Sequence, residues 1–205
     1  MIDPALLLGF MITALIIELT PGPNMAWLVM LSLGEGRRAG YMASGGIALG
    51  LLLISSLAAM GLAALISASP LLYEGLRWAG ALFLFYLALE GWLSAGNAAP
   101  ALEKERAGQH ALRGFVINVL NPKAAFFYVT VLPQFIAPGH NERAQALILA
   151  FTSVAIATAI HLVLVTLAAR LRGFIENERQ NRRVRRILAV GLAAVAVWLL
   201  LSTAR

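Results

Sequence analysis

Two prolines and a glycine interrupt the first long apolar run of the chain, at Thr20-Pro21-Gly22-Pro23-Asn24. Proline has no backbone N–H and clashes with the carbonyl four residues back. Pro21 therefore removes the helical partner of the Ile17 carbonyl, and Pro23 that of Leu19. In hydrocarbon, a freed backbone group is tolerated only where protein or water satisfies it. A helix broken there has to turn its break toward a cavity inside a bundle, away from lipid. A later apolar run is interrupted in the same manner at Asn121-Pro122-Lys123. The expectation is that the two breaks meet and build a transport site.

Composition places these runs in a membrane. Hydrophobic residues make up 60% of the 205 and charged ones 13%, against about half and a quarter in soluble domains. A soluble core of this length cannot hide so much apolar surface, so the lipid bilayer is an expected partner. A basic balance of +6 suggests nucleic acid in a soluble chain. Here the basic residues collect in a few short loops, which reads as membrane orientation and not as nucleic-acid binding. There is no cysteine, hence no disulfide framework and no thiolate metal site. Met1-Ile2-Asp3-Pro4 carries no basic residue and no small-x-small cleavage site follows the first apolar run, so that run is read as a retained span rather than a signal peptide.

Six stretches reach the roughly 20 apolar residues a span needs: about 5–33, 39–66, 72–95, 112–136, 144–169 and 187–203, the first and fourth broken at their prolines. Lys and Arg accumulate in short cytoplasmic loops. Arg37 and Arg38 follow span one, Lys104, Arg106 and Arg113 follow span three, and seven arginines lie between 170 and 186 after span five. The opposite side has only Arg77, Arg143 and Arg205. Loops one, three and five are accordingly placed in the cytoplasm and both termini on the periplasmic side. The 170–186 run is read as a solvated basic loop against anionic headgroups.

Pro21 and Pro122 lie 101 residues apart, and a shift of that size lays spans one to three on spans four to six. Three spans per unit is an odd number, so the second unit enters the membrane inverted. The expected fold is all-α and polytopic: one transmembrane domain of six helices in two inverted three-helix repeats, 1–95 and 112–205, joined by a cytoplasmic linker at 96–111. Broken helices at matching positions of inverted halves point to a substrate site at the bilayer midplane. Gly40, Gly45, Gly46, Gly50 and Gly61 allow close helix approach. Gly46-Ile47-Ala48-Leu49-Gly50 is a GxxxG, read first as packing inside the chain and second as a homodimer contact.

Ionisable residues inside spans are costly and mark function. Four occur here: Glu18, Glu90, Lys123 and His161. Glu18 and Lys123 flank the two breaks and are placed to pair, either structurally or with Lys123 attracting a substrate carboxylate while Glu18 receives an amino group or a proton. Helix N-termini at the breaks would add backbone N–H donors. A zwitterion suits such a site. The expected substrate-binding set is Thr20, Pro21, Gly22, Pro23, Asn24, Asn121, Pro122 and Lys123; the expected proton-coupling set is Glu18, His161 and Glu90. Glu90 also reads as a side chain snorkelling to the interface, and His161 as an imidazole bonded to a neighbouring helix. Asn24, Asn118 and Asn121 are placed to satisfy freed backbone groups or to touch substrate. No HExxH, GxSxG or paired intramembrane aspartates occur. Neither an enzyme, nor a cofactor, nor a metal site among His110, His140 and His161 is expected.

These residues resemble a known family. Leu19-Thr20-Pro21-Gly22-Pro23-Asn24 looks like the first-span motif of the LysE/RhtB family of bacterial amino-acid exporters. Gly36-Arg37-Arg38-Ala39-Gly40, the glycines at 45, 46 and 50, and Gly61-Leu62 fit its pattern, as do Gly80, Tyr86-Leu87 and Gly91-Trp92. Asn121-Pro122-Lys123-Ala124-Ala125-Phe126-Phe127 with Leu132-Pro133-Gln134-Phe135 resembles its second signature. The resemblance implies a six-span inner-membrane exporter of amino acids or close derivatives, driven by the proton gradient. Members handle leucine, threonine, homoserine and its lactone, lysine or arginine. The wider superfamily is similar to inorganic-cation exporters, which is the alternative reading.

Overall fold

Asp3 accepts a hydrogen bond from the Ala5 N–H at 2.8 Å, and Pro4 takes the first helical position, where its missing N–H has no partner to lose. Helix α1 (Pro4–Leu19) starts there. The computed structural model describes residues 2–59, 69–96, 107–138, 141–172 and 178–202. The expected end of span two (60–66), most of the 96–111 linker, Lys104, Arg106, His140 and Arg205 lie outside the described residues.

The proline breaks end one helix and begin another. Before Pro21, the Thr20 N–H donates to the Ile17 carbonyl at 3.1 Å, so the carbonyl freed by the proline is retaken by a tighter turn. Helix α2 (Pro23–Glu35) then begins on Pro23, and its axis bends 56° from α1. The second break repeats the device. Helix α3 (Arg37–Ala59) and helix α4 (Pro70–Gly96) intervene, and helix α5 (Ala107–Val119) follows. After α5 the Asn121 N–H donates to the Asn118 carbonyl at 3.0 Å. Helix α6 (Pro122–Phe126) begins on Pro122, and the bend here is 53°. Pro21 and Pro23 divide between them the two tasks that Pro122 performs alone. Beyond α6 the helix widens to a π turn at Phe127–Val131 and tightens to a 3-10 turn at Leu132–Phe135. Helices α7 (Glu142–Arg172) and α8 (Glu178–Ser202) complete the fold, and there is no strand among the described residues.

By length and composition, α3 and α7 can each cross a membrane alone, and the bent pairs α1–α2 and α5–α6 can each do so as one span. The other two expected spans fare differently. The apolar part of α4 is only Trp78–Leu93. The first turns of helix α8 carry Arg179, Arg182, Arg183, Arg185 and Arg186, which dilute its apolar stretch. All the same, large apolar side chains face outward on α1 (Leu8, Ile12, Ile16), on α4 (Leu82, Leu89) and on α8 (Val190, Leu201). So much outward apolar surface suits lipid.

Packing within the bundle uses small residues. Helix α3 lies against α5, α4 against α8, and α7 touches α1, α2 and α3. A methyl group at Gly46 would strike the Ala111 carbonyl, and one at Gly114 the Ala43 carbonyl. Gly50 faces Asn118 and the Phe115 carbonyl. The GxxxG stripe is thus filled by α5 of the same chain. At one end of the bundle, the helix ends flanking loops one, three and five come together. His110 Nε2 lies 3.5 Å from Glu35 Oε2, Arg113 Nη2 donates to Glu90 Oε1 at 2.9 Å, and the Arg186 guanidinium lies 5.1 Å from the Trp92 ring centre. Gly36, at φ 93° in the left-handed region, turns α2 into α3 beside Arg172.

Overpacking a close helix contact costs about 1–3 kcal/mol. Gly46→Ala should therefore lower the melting temperature in detergent by several degrees. Gly45→Ala, whose added methyl meets nothing within 4 Å, should leave it unchanged. Equal melting of the two variants would show that the α3–α5 contact is not tight.

Candidate functional site

Lys123 Nζ donates to the Thr20 carbonyl at 2.8 Å. Asn24 Nδ2 donates to Asn118 Oδ1, also at 2.8 Å, in a buried contact. These two bonds join breaks more than ninety residues apart in sequence. The first supplies a cationic donor to a backbone carbonyl at the end of α1. The second links the first turn of α2 to the last turn of α5.

A cavity opens between them. Its polar wall is Glu18, Asn24, Asn121, Lys123 and His161; Ile17, Met25, Leu51 and Phe127 form much of the apolar wall. The cavity volume is about 20 Å³, room for about one water. Gly22, also in the wall, lets the Lys123 stem pass close: a methyl there would lie 3.5 Å from Lys123 Cδ.

The two helix N-termini at the site differ. The first turn of a helix leaves N–H groups without intrahelical partners. On α6, Asn121 Oδ1 accepts from the Lys123 N–H at 3.0 Å and caps the turn. On α2 the cap residue is Gly22, which has no side chain to do this. The uncapped turn, with Asn24 and Met25, borders the cavity. Its partial positive charge adds to that of Lys123.

Of the expected site residues, Gly22, Asn24, Asn121, Lys123, Glu18 and His161 come together. Thr20 contributes its carbonyl, while its hydroxyl donates to the Ile16 carbonyl at 3.1 Å. Pro21 is exposed and Pro23 buried; they shape the break without bordering the cavity, and Pro122 starts α6. Glu90 lies apart, paired with Arg113. Lys123 directs its ammonium to the Thr20 carbonyl, and Glu18, the partner the sequence pointed to, lies in the same cavity wall, close enough to interact with its charge.

Leu51 of the apolar wall escaped the reading of motifs. Its signal is periodicity: Ala43, Ile47, Leu51 and Ile54 form one buried stripe on α3. On α7, Val154, Ala157, His161, Val165 and Ala168 do the same. The π turn also had no motif. It carries Phe127 at the cavity and Tyr128, whose hydroxyl is 2.9 Å from Ser153 Oγ. Such turns recur at functional sites.

A cation, a carboxylate, an uncapped helix start and an imidazole around one space can hold a small zwitterion. Among the described residues no group of three His, Asp or Glu is placed to hold a metal ion.

Comparison with known proteins agrees in kind. The chain is 30% identical over 199 residues, 96% of each chain, to the homoserine/homoserine lactone efflux protein of Salmonella typhimurium. It is 35% identical over 147 residues, 70% of each chain, to the leucine efflux protein of an Enterobacter species. A protein of Vibrio cholerae named as an uncharacterized membrane protein is 28% identical over 200 residues, 97% of each chain. No solved structure matches the chain. The profile of the LysE type translocators matches residues 15–203, nearly the whole length, and the chain belongs to that family of membrane proteins.

Proposed function

We propose that this chain is a secondary transporter that exports amino acids or close derivatives, neutral ones by preference, from the bacterial cytoplasm across the inner membrane. The observation that carries the proposal is the contact between the breaks: Lys123 of one reaches the Thr20 carbonyl of the other, beside a cavity that also holds Glu18. The relatives named for homoserine and leucine efflux support the same class of cargo. In this reading the substrate carboxylate meets Lys123 and the uncapped start of α2, and its ammonium meets Glu18. Lys123 keeps two donors beyond the one given to Thr20. The residues of the two breaks, 20–24 and 121–123, frame the site.

Six spans in two inverted repeats suit this mechanism. The pairs α1–α2 and α5–α6 would correspond, as would α3 with α7 and α4 with α8. The matching proline devices support this, and so do the contacts of α3 with α7 and of α4 with α8. The distribution of Lys and Arg supports cytoplasmic loops one, three and five and periplasmic termini. A cavity with room for about one water must widen to load an amino acid, which is what alternating access of one half against the other provides. Proton antiport would run through Glu18, the carboxylate at the cavity. Glu90, in its pair with Arg113, would fasten the cytoplasmic end. An inorganic-cation cargo is disfavoured by Lys123, whose charge would repel it.

A charge-assisted hydrogen bond is worth about 1.5–3 kcal/mol. Lys123→Ala should therefore cut amino-acid export from proteoliposomes about ten- to hundredfold, with an unchanged elution profile in detergent. Export at the wild-type rate would remove Lys123 from the site. Glu18→Gln should leave exchange of labelled for unlabelled amino acid running but uncouple net export from an imposed pH gradient. Persisting dependence on that gradient would take the proton away from Glu18.

A further inference from the structure

The cavity offers more hydrogen-bonding capacity than the two ends of a zwitterion use. With the carboxylate at Lys123 and the ammonium at Glu18, three buried polar atoms of the residues lining the cavity remain without a hydrogen-bond partner among the described residues. They are Nδ1 and Nε2 of His161 and Oδ1 of Asn24. His161 is 1% exposed and Asn24 7%, and both border the cavity. His161 sits on the buried stripe of α7, where a structural histidine would be tied to a neighbouring helix; neither ring nitrogen is so tied. Leaving buried polar atoms unpaired carries their full desolvation cost. An aliphatic cargo would leave that cost in place, whereas a cargo with a polar side chain removes it.

The chemistry of the unpaired atoms narrows the side chain. An imidazole presents one N–H donor and, when neutral, one acceptor nitrogen, and an amide oxygen accepts. A hydroxyl has one donor hydrogen and two acceptor lone pairs, so it can accept from the imidazole N–H and donate to Asn24 Oδ1 or to the second ring nitrogen. Ile17, Met25, Leu51 and Phe127 can enclose the methylene groups that lead to it. We propose that His161, with Asn24 Oδ1, is the specificity-determining group of the site and selects a hydroxylated amino acid over an aliphatic one of the same size. The proposal rests on the cavity being the amino-acid site. Sites built to bond a hydroxyl reject its methyl isostere much more strongly than an apolar pocket rejects a missing methylene.

The test compares L-homoserine with L-norvaline, in which a methyl replaces the hydroxyl, in counterflow assays on proteoliposomes of the full chain. The wild type should half-saturate with homoserine at a concentration about tenfold or more below that for norvaline. His161→Phe, which keeps a flat ring, should raise the homoserine value by that factor and the norvaline value by a clearly smaller one, so that the preference falls. His161→Gln, which restores a donor and an acceptor, should recover part of the preference. Equal handling of both amino acids by the wild type would overturn the proposal while leaving the transport function intact. An equal loss for both in His161→Phe and His161→Gln would do the same. A wild type that moves neither amino acid would fail the underlying function as well as this proposal.

Discussion

A broken helix in hydrocarbon needs its freed backbone groups satisfied from inside the protein, and the whole arrangement follows from that requirement. Local turns meet part of it: Thr20 and Asn121 each close back on the carbonyl that a following proline released. They leave the Thr20 carbonyl open, and Lys123 from the opposite break fills it. Lys123 is itself steadied by the Asn121 cap on its own N–H. The first break is therefore completed by the second, and the ammonium group that completes its backbone also gives the cavity its positive pole.

Helix packing keeps this joint in register. Asn118, which bonds Asn24 across the breaks, lies where α5 comes close to α3, and glycine makes that approach possible. A methyl group at Gly50 would sit 2.9 Å from Asn118 Nδ2, and the tighter contacts at Gly46 and Gly114 hold the same pair of helices one to two turns away. Small residues that look like a dimerisation stripe in the sequence here set the depth of a polar side chain. Stability and site geometry depend on the same contact.

Much of this was legible because proline acts locally. Its missing N–H and its ring clash fix where a helix ends whatever surrounds it, so Pro21 and Pro122 announced both breaks, and the charges beside them announced Glu18 and Lys123. Partners set by distance in space were less legible. Nothing in the neighbourhood of Glu90 in the chain marks Arg113 as its counter-ion. Nothing near Lys123 shows that a backbone oxygen two residues past Glu18 takes its ammonium. Leu51 of the apolar wall was written only as a 3.6-residue period on α3, which any buried helix face shares. The short apolar stretch of α4 and the arginines of α8 blur the count of spans, because length and composition rank a helix without knowing what it packs against.

The composition of the cavity wall suggests how it would widen for a cargo larger than one water. Leu51 and His161 belong to α3 and α7, which run unbroken past the site. Gly22, Asn24, Lys123 and Phe127 belong to segments that begin at a break or lie on the π turn. A bend of 56° or 53° at a proline, which donates no hydrogen bond of its own, is the soft element of such a wall, and a continuous helix the stiff one. Under the proposed function, a local opening for loading would tilt the break segments α2 and α6 away from α3 and α7 while α5 stays packed on α3. The Lys123 bond can survive that motion, since it joins one break to the other. The distance from Lys123 to His161 would then grow toward the length of the cargo. The charged end of an amino acid would be gripped on the moving side and its side chain read on the fixed side, so only a cargo that reaches both would be held across the gap.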